Sequence, residues 1–194
     1  MIEIISIKPC DGGDGFKVVC MDDGVKNTYA VSADFLLENG ISKGCIDDDF
    51  HEVLIFEDKS YAAKRAAIRM ITSSQCSANR LYTKLRSRGF PHECAKNATD
   101  FIKEKGYIDE DWQIENYLRI LVEKKYFGRR KVLPMLLAKG YEGMKISASL
   151  DRMYSDEDFK KLRAEFLFWK FGKTKPETSA EALEMKKALY KQGY

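Results

Sequence analysis

The sequence predicts a mainly α fold: tandem three-helix repeats in an elongated arrangement, preceded by a small N-terminal β-rich region. Three observations carry that prediction. The phrases LRSRGF (85–90), LLAKGY (136–141) and LYKQGY (189–194) put glycines at Gly89, Gly140 and Gly193, each with a leucine four residues earlier (Leu85, Leu136, Leu189) and an aromatic residue directly after. Each phrase reads as the end of an amphipathic helix, where a left-handed residue is needed and glycine adopts it without steric cost. The acidic phrases YIDED (107–111) and YSDED (154–158) also recur at a similar period. Beyond Asp47 the apolar pattern is helical almost throughout, and a helical period near 50 residues marks units that stack to share a core.

Residues 1–46 are expected to form a β-meander with one short helix. IEIISI, FKVVCM and NTYAV are strand-like, and the Asp23-Gly24 pair between the second and third is a hairpin signal. Gly12, Gly13 and Gly15 suggest a flexible hairpin between the first two strands, since no GxxxxGKS/T phosphate loop accompanies them. Ser32 to Gly40 carries a cap signal at each end and predicts a short helix. The first repeat, 47–106, has helices at 50–72, 77–88 and 91–105; Asp47, Asp48 and Asp49 sit where a helix N-terminus favours negative charge, which explains them better than a cation site. The second repeat, 107–154, has helices at 109–126, 130–139 and 142–154. The third, 155–194, has helices at 156–171 and 179–192 and lacks a last helix.

The recurring acidic phrases have an architectural explanation. Each precedes a long helix, so the carboxylates cap it and complement its dipole. Ser155 with Asp158, and Thr178 with Glu181, have capping-box spacing, and Tyr107 and Tyr154 are expected to pack as staples at the helix entries.

Composition narrows the function classes. The chain has 194 residues and five cysteines without CxxC spacing, which fits a reduced, intracellular setting better than a disulfide framework. The start, MIEIISIKPC, has no basic region followed by an apolar run, and no stretch approaches the roughly 18 apolar residues of a membrane span; the expectation is a cytoplasmic protein with no membrane partner. His51 and His92 are the only histidines and read as surface or capping residues; HExxH, GxGxxG, the P-loop and the nucleophile elbow are missing. The sequence therefore predicts no catalytic residues, no metal and no cofactor. Phe166, Phe168, Trp169 and Phe171 are expected to serve as core and packing residues.

Charge is the remaining signal. Residues 1–59 carry 5 basic and 13 acidic side chains, residues 60–150 carry 18 and 9, and residues 151–194 carry 10 and 8, within a total of +3. In the first repeat Arg80, Lys84 and Arg88 follow one another at i, i+4 and i+8, with Arg86 near the helix end and Lys64, Arg65 and Arg69 on the helix before. The equivalent helix of the second repeat opens with Arg129, Arg130 and Lys131 and closes with Lys139, while Arg119, Lys124 and Lys125 precede it. Such rows suit a phosphate backbone bound without sequence readout, or an acidic protein groove.

At these residues the chain resembles the RecX family of regulatory proteins. The resemblance rests on the helix from Ser77 ending in KLRSRGF, on KGYIDED leading to Asn116-Tyr117, on FGRRKVL followed by LLAKGY, and on VSADFLLENGISKG near the N-terminus. It covers nearly the whole chain. It implies three-helix repeats that bind the groove of the RecA–DNA filament and inhibit strand exchange, ATP hydrolysis and coprotease function. The expected contact residues are Arg80, Lys84, Arg86, Arg88, Arg119, Arg129, Arg130, Lys131 and Lys139, on a monomer that also has single- or double-stranded DNA as a direct partner. The alternative is an autonomous, sequence-tolerant DNA-binding helical module. Three positions depart from the family pattern: Arg80 stands where Glu is frequent, Pro134 interrupts the second basic helix, and Gln113-Ile114 replaces an aromatic followed by Ala.

Overall fold

The computed structural model describes residues 1–11 and 14–194, so Gly12 and Gly13 of the expected glycine hairpin lie outside the described residues. The chain forms two compact units, one from Met1–Gln75 with Leu81–Tyr107, the other from Cys76–Arg80 with Ile108–Tyr194.

The first unit opens with strands β1 (Ile2–Pro9), β2 (Gly15–Asp22) and β3 (Val25–Ser32). The turn between β2 and β3 uses Asp23 and Gly24, both at positive φ (43° and 82°), as the Asp-Gly pair implies. Helix α1 (Ala33–Glu38) follows, with the Ser32 side chain accepting from the Phe35 amide. The sheet has one more strand than the sequence predicts: β4 (Gly44–Ile46) pairs antiparallel with β1, and the order is β3-β2-β1-β4. Three residues are too few to show alternation, so only the pairing with β1 reveals them.

Helix α2 (Asp48–Ser73) starts behind Asp47, whose carboxylate accepts from the Phe50 amide at 2.7 Å; Asp48 and Asp49 complete the acidic first turn. Leu54 of α2 is buried with Ile2, Ile4, Val18, Cys20 and Val31, and this apolar patch fixes the sheet to the helix. Asp58 accepts from the Ala30 amide at 2.7 Å, which satisfies a donor on the outer edge of β3. His51 meets the Tyr29 hydroxyl at 2.8 Å. Helices α3 (Ala78–Ser87) and α4 (His92–Glu104) follow. α4 packs on α2, and the buried faces are small: Ala63, Ala66 and Ala67 on one, Ala95 and Ala98 on the other. Small side chains let two helix axes approach closely.

The second unit contains α5 (Glu110–Leu118), α6 (Arg129–Leu137), α7 (Gly143–Met153), α8 (Asp156–Phe171) and α9 (Ser179–Gln192). Ile114, Leu118, Val132, Leu136, Ile146 and Leu150 of the first three form one buried cluster with Phe159, and Phe166, Leu167, Met185, Ala188 and Leu189 form another. Each of these side chains other than Ala188 contributes about 1.5–3 kcal/mol on leaving water. The helix predicted over 109–126 is not uniform. After α5 it widens into a π-helical segment, Arg119–Lys124, and ends with Tyr126 at φ 54°. No glycine is available there, and Tyr126 is held by packing of its ring on Phe166, centroids 6.4 Å apart.

Further expectations need correction. Pro134 does not shorten α6, which runs through it to Leu137 with the proline on the exposed side. Tyr107 is not a staple: it is 57% exposed, and the residue before the cap of α5 is the buried Ile108, because Asp109 caps α5 whereas Ser155 caps α8. Tyr154 does pack as expected, its ring 5.8 Å from that of Phe159. The Ser155–Asp158 box is complete. In α9, Thr178 accepts from the Glu181 amide, but Glu181 returns to the Glu177 amide at 2.8 Å and binds Lys173, so that box is displaced by one residue. Phe168 and Trp169 are exposed at 64% and 72%, and only Phe166 of the aromatic group is deeply buried. Gln113 is buried and accepts from the Tyr141 hydroxyl at 2.7 Å, which explains how a polar residue is tolerated where the family pattern has an aromatic.

The three repeated glycines close identical caps. Gly89, Gly140 and Gly193 have φ of 87°, 87° and 88°. In each cap the amide after the glycine donates to the carbonyl of the leucine four residues before it: Phe90 to Leu85, Tyr141 to Leu136, Tyr194 to Leu189. Two of the glycines also seat against the start of another helix. A Cβ on Gly193 would collide with Lys131, and one on Gly140 with Ser77. Here a helix start donates to the free carbonyls of another helix end, through backbone amides at α6 and through a side-chain hydroxyl at α3. Gly128 and Arg130 donate to the carbonyls of Gln192 and Gly193 at 2.8 and 3.3 Å, and the Ser77 hydroxyl donates to the Lys139 carbonyl at 2.9 Å. Gly89 has open space around it.

Two predictions follow from these contacts, both read by denaturant unfolding. Gly89→Ala is expected to cost about 1–2 kcal/mol, the left-handed penalty alone. Gly140→Ala and Gly193→Ala are expected to cost about 1–3 kcal/mol more, because the added methyl also overpacks the seat; equal costs at all three would contradict the seating. The Asp158 carboxyl is held below its usual range, first by the Ser155 hydroxyl and then by the Ser155 amide. Its stabilisation is therefore present above the ordinary carboxylate pKa of about 3.9 and disappears as pH falls through the lowered folded value. Asp158→Asn should be less stable than the parent at pH 7, and the two should converge in acid.

Candidate partner-binding surface

The nine expected contact cations fall into distinct environments. On α3, Ser77 caps the helix by accepting from the Arg80 amide at 3.2 Å, and Glu110 accepts from the Ala78 amide at 2.9 Å. Arg80 and Arg88 are exposed and Lys84 is half-buried; among the described residues none of the three forms an ion pair. Arg86 folds back and donates to the Phe90 carbonyl at 2.7 Å, which reinforces the cap at Gly89.

Arg119 is exposed but engaged by Asn116 at 3.0 Å and Glu115 at 3.3 Å; Glu115 also holds Arg152 at 2.6 Å. The basic triplet at the start of α6 divides. Arg129 is held on several sides, by Asp151 at 2.5 Å, the Tyr154 carbonyl at 3.0 Å and the Phe159 ring, whose centroid lies 4.9 Å from the guanidinium carbon. Lys131 donates to the Lys191 carbonyl and to Gln192, and its ammonium sits 3.7 Å from the centre of the Phe127 ring. Burial, then the nearby Lys191 and Lys125, pull its pKa below the usual lysine value. Arg130, between them, points to solvent and forms no ion pair among the described residues. Lys139 is half-buried, its ammonium 4.5 Å from the Tyr117 ring centre.

Arg129 and Lys131 thus serve the packing of their own unit and Arg119 pairs with its chain neighbours Glu115 and Asn116, whereas Arg80, Lys84, Arg88 and Arg130 keep charges that no ion pair among the described residues neutralises. The i, i+4, i+8 spacing on α3 is legible from sequence. The division at Arg129-Arg130-Lys131 is not, because the hydrogen-bond partners of the two held cations lie more than 20 residues away in the chain. The sequence reading also missed a cavity of about 560 Å³ lined by α9 and by Arg130 and Arg163, although Leu183, Lys186, Lys187 and Tyr190 have the spacing of one helical face. Among the described residues no His, Cys, Asp and Glu side chains group to hold a metal ion, and no helix is long and apolar enough to cross a membrane.

No family model matches the chain. It is 26% identical to the regulatory protein RecX of Caldanaerobacter subterraneus subsp. tengcongensis over 178 residues, 88% of this chain and 85% of that one. It is 25% identical to the regulatory protein RecX of Clostridium botulinum (strain Alaska E43) over 84% of this chain and 76% of that one. In the relative from Clostridium perfringens (strain 13), 27% identical over 114 residues, the match spans about half of the relative, 53% of its length, and 58% of this chain. Among solved structures, a crystal structure of regulatory protein RecX superposes with a TM-score of 0.77 at 17% identity, covering 100% of this chain and 95% of that one. RecX from Lactobacillus salivarius gives 0.60 at 17% identity, covering 71% and 89%. Along most of its length the chain is similar in sequence to regulatory proteins RecX, and along all of it the chain shares the fold of a crystal structure of regulatory protein RecX.

Proposed function

We propose that the protein is a non-enzymatic regulator that binds the RecA–DNA filament and inhibits its recombinase, ATPase and coprotease activities, acting as a cytoplasmic monomer. Support comes from the likeness to regulatory RecX proteins and from one observation above all: Arg80, Lys84, Arg88 and Arg130 carry positive charge that no ion pair among the described residues neutralises. Cations left solvated in this way attract an anionic partner and add to its association rate and specificity, most strongly at low salt. In this reading residues 47–106, 107–154 and 155–194 are successive repeats, and residues 1–46 a separate β-rich element. Arg119, Arg129 and Lys131 shape the surface, with Arg86 and Lys139 at its helix ends.

The test is DNA-dependent ATP hydrolysis and strand exchange by RecA with the purified protein added. Inhibition is expected, with a steep loss at higher salt; unchanged rates at excess protein would overturn the proposal. Reversing both Arg88 and Arg130 to Glu should weaken inhibition by about tenfold while the melting temperature stays within a degree or two. Arg129→Glu should instead lower stability by about 1.5–3 kcal/mol, because it removes charge-assisted bonds to Asp151 and to the Tyr154 carbonyl.

A further inference from the structure

Helix α1 presents Asp34, Leu37 and Glu38 at i, i+3 and i+4, so the three share one face. All three are exposed, Leu37 at 75%, and neither carboxylate forms an ion pair among the described residues. Asp34 and Glu38 also line a cavity of about 330 Å³ together with Asp14 and Glu57, where the two cations present, Lys64 and Arg65, lie over the Phe101 and Tyr61 rings. The cavity beside α9 has the converse character. Arg130, Arg163, Lys186 and Lys187 line it; all four are exposed, none forms an ion pair among the described residues, and no carboxylate is part of the lining. Between these charges lie Leu183 and Tyr190, exposed at 53% and 78%. An apolar hollow rimmed by cations suits an occupant that is acidic and carries an apolar side chain.

We propose that the occupant is α1 of a second copy of this chain, with Leu37 seated against Leu183 and Tyr190 and with Asp34 and Glu38 on Lys186, Lys187 and Arg163. The charge balance favours this chain as its own partner: residues 1–59, which hold α1, carry 13 acidic side chains against 5 basic ones, and the cavity walls are basic alone. Size also matches. The six residues of α1 extend about 9 Å, and Leu183 to Tyr190 extend about 10 Å along one face of α9. The two surfaces are different patches, so the contact is heterologous. Each added copy leaves one α1 and one cavity unoccupied, and association continues past a dimer. Both patches are small, which makes the contact weak and transient. It covers Arg130, so chains held in it are withheld from an anionic partner. The filament-binding reading above concerns the dissociated chain, and self-association does not depend on it.

The experiment is sedimentation velocity of the full chain alone, over about 5 to 300 µM, the range in which a small interface forms and dissociates. The mean sedimentation coefficient is expected to rise past that of a dimer at about 50 mM salt and to return to the monomer value by about 500 mM, where exposed charge pairs are screened. Asp34→Lys with Glu38→Lys, and Lys186→Glu with Lys187→Glu, should each remain monomeric throughout. An equimolar mixture of the two double variants should associate again, because each supplies the charge that the other has lost. Leu37→Ala should weaken association by about tenfold. All these positions are exposed, so helicity by circular dichroism should be unchanged. A parent chain that stays monomeric at every concentration, association that either double variant leaves intact, or a mixture that does not associate would overturn the proposal. A monomeric chain that binds labelled poly-glutamate at the cavity would also overturn it, since the occupant would then be another acidic protein. Inhibition of RecA is measured on dilute, dissociated chain, so either reading can fail without the other.

Discussion

The second unit depends on a constraint where helices meet end to start. A helix leaves donors unpaired at its first turn and acceptors unpaired at its last, and each must find a partner. In this chain they find each other. The carbonyls at the end of α9 accept from the Gly128 and Arg130 amides at the start of α6, and the Lys139 carbonyl at the end of α6 accepts from the capping Ser77 hydroxyl at the start of α3. Glycine is required at Gly140 and Gly193 for two separate reasons: the left-handed φ of the cap and the lack of room for a Cβ against the seat. A local rule of helix termination therefore doubles as a long-range rule of assembly.

The same seats decide which charges remain for a partner. The start of α6 would by itself attract anions, with its dipole and three consecutive cations. Its Gly128 and Arg130 amides are already taken by the end of α9, the Lys131 side chain by the Lys191 carbonyl and Gln192, and Arg129 by Asp151 and the Tyr154 carbonyl. Arg130 alone of the triplet turns outward. Each held cation has a bonded or ring partner to offset its partial desolvation, which is why these basic residues can be half-buried at all.

Much of the fold was legible because its signals are local. Cap glycines, capping serines and the aspartate run act within four or five residues, and α8 and α9 have the predicted bounds. What was not legible is non-local. The three residues of β4 are a strand only because β1 pairs with them. Tyr107 and Tyr154 sit in near-identical phrases, yet one is exposed and the other buried, since the cap falls on the third residue of the first phrase and the second residue of the other. Phe168 and Trp169 have the composition of a core and the exposure of a surface. Of the candidate cations, sequence gave the spacing on α3, but which charges are consumed inside the unit depends on partners up to about 60 residues distant.

Amide hydrogen exchange at the start of α6 tests the helix-end seat most directly. Gly128 and Arg130 lie within the first turn of α6 or just before it, where amides of an isolated helix have no intrahelical acceptor and exchange freely. Because the Gln192 and Gly193 carbonyls accept from them, these amides should be protected nearly as well as the interior of α6, and introducing a valine at Gly193 should remove that protection while the middle of α6 keeps its own. Rapid exchange at Gly128 and Arg130 in the unaltered folded protein would contradict the account.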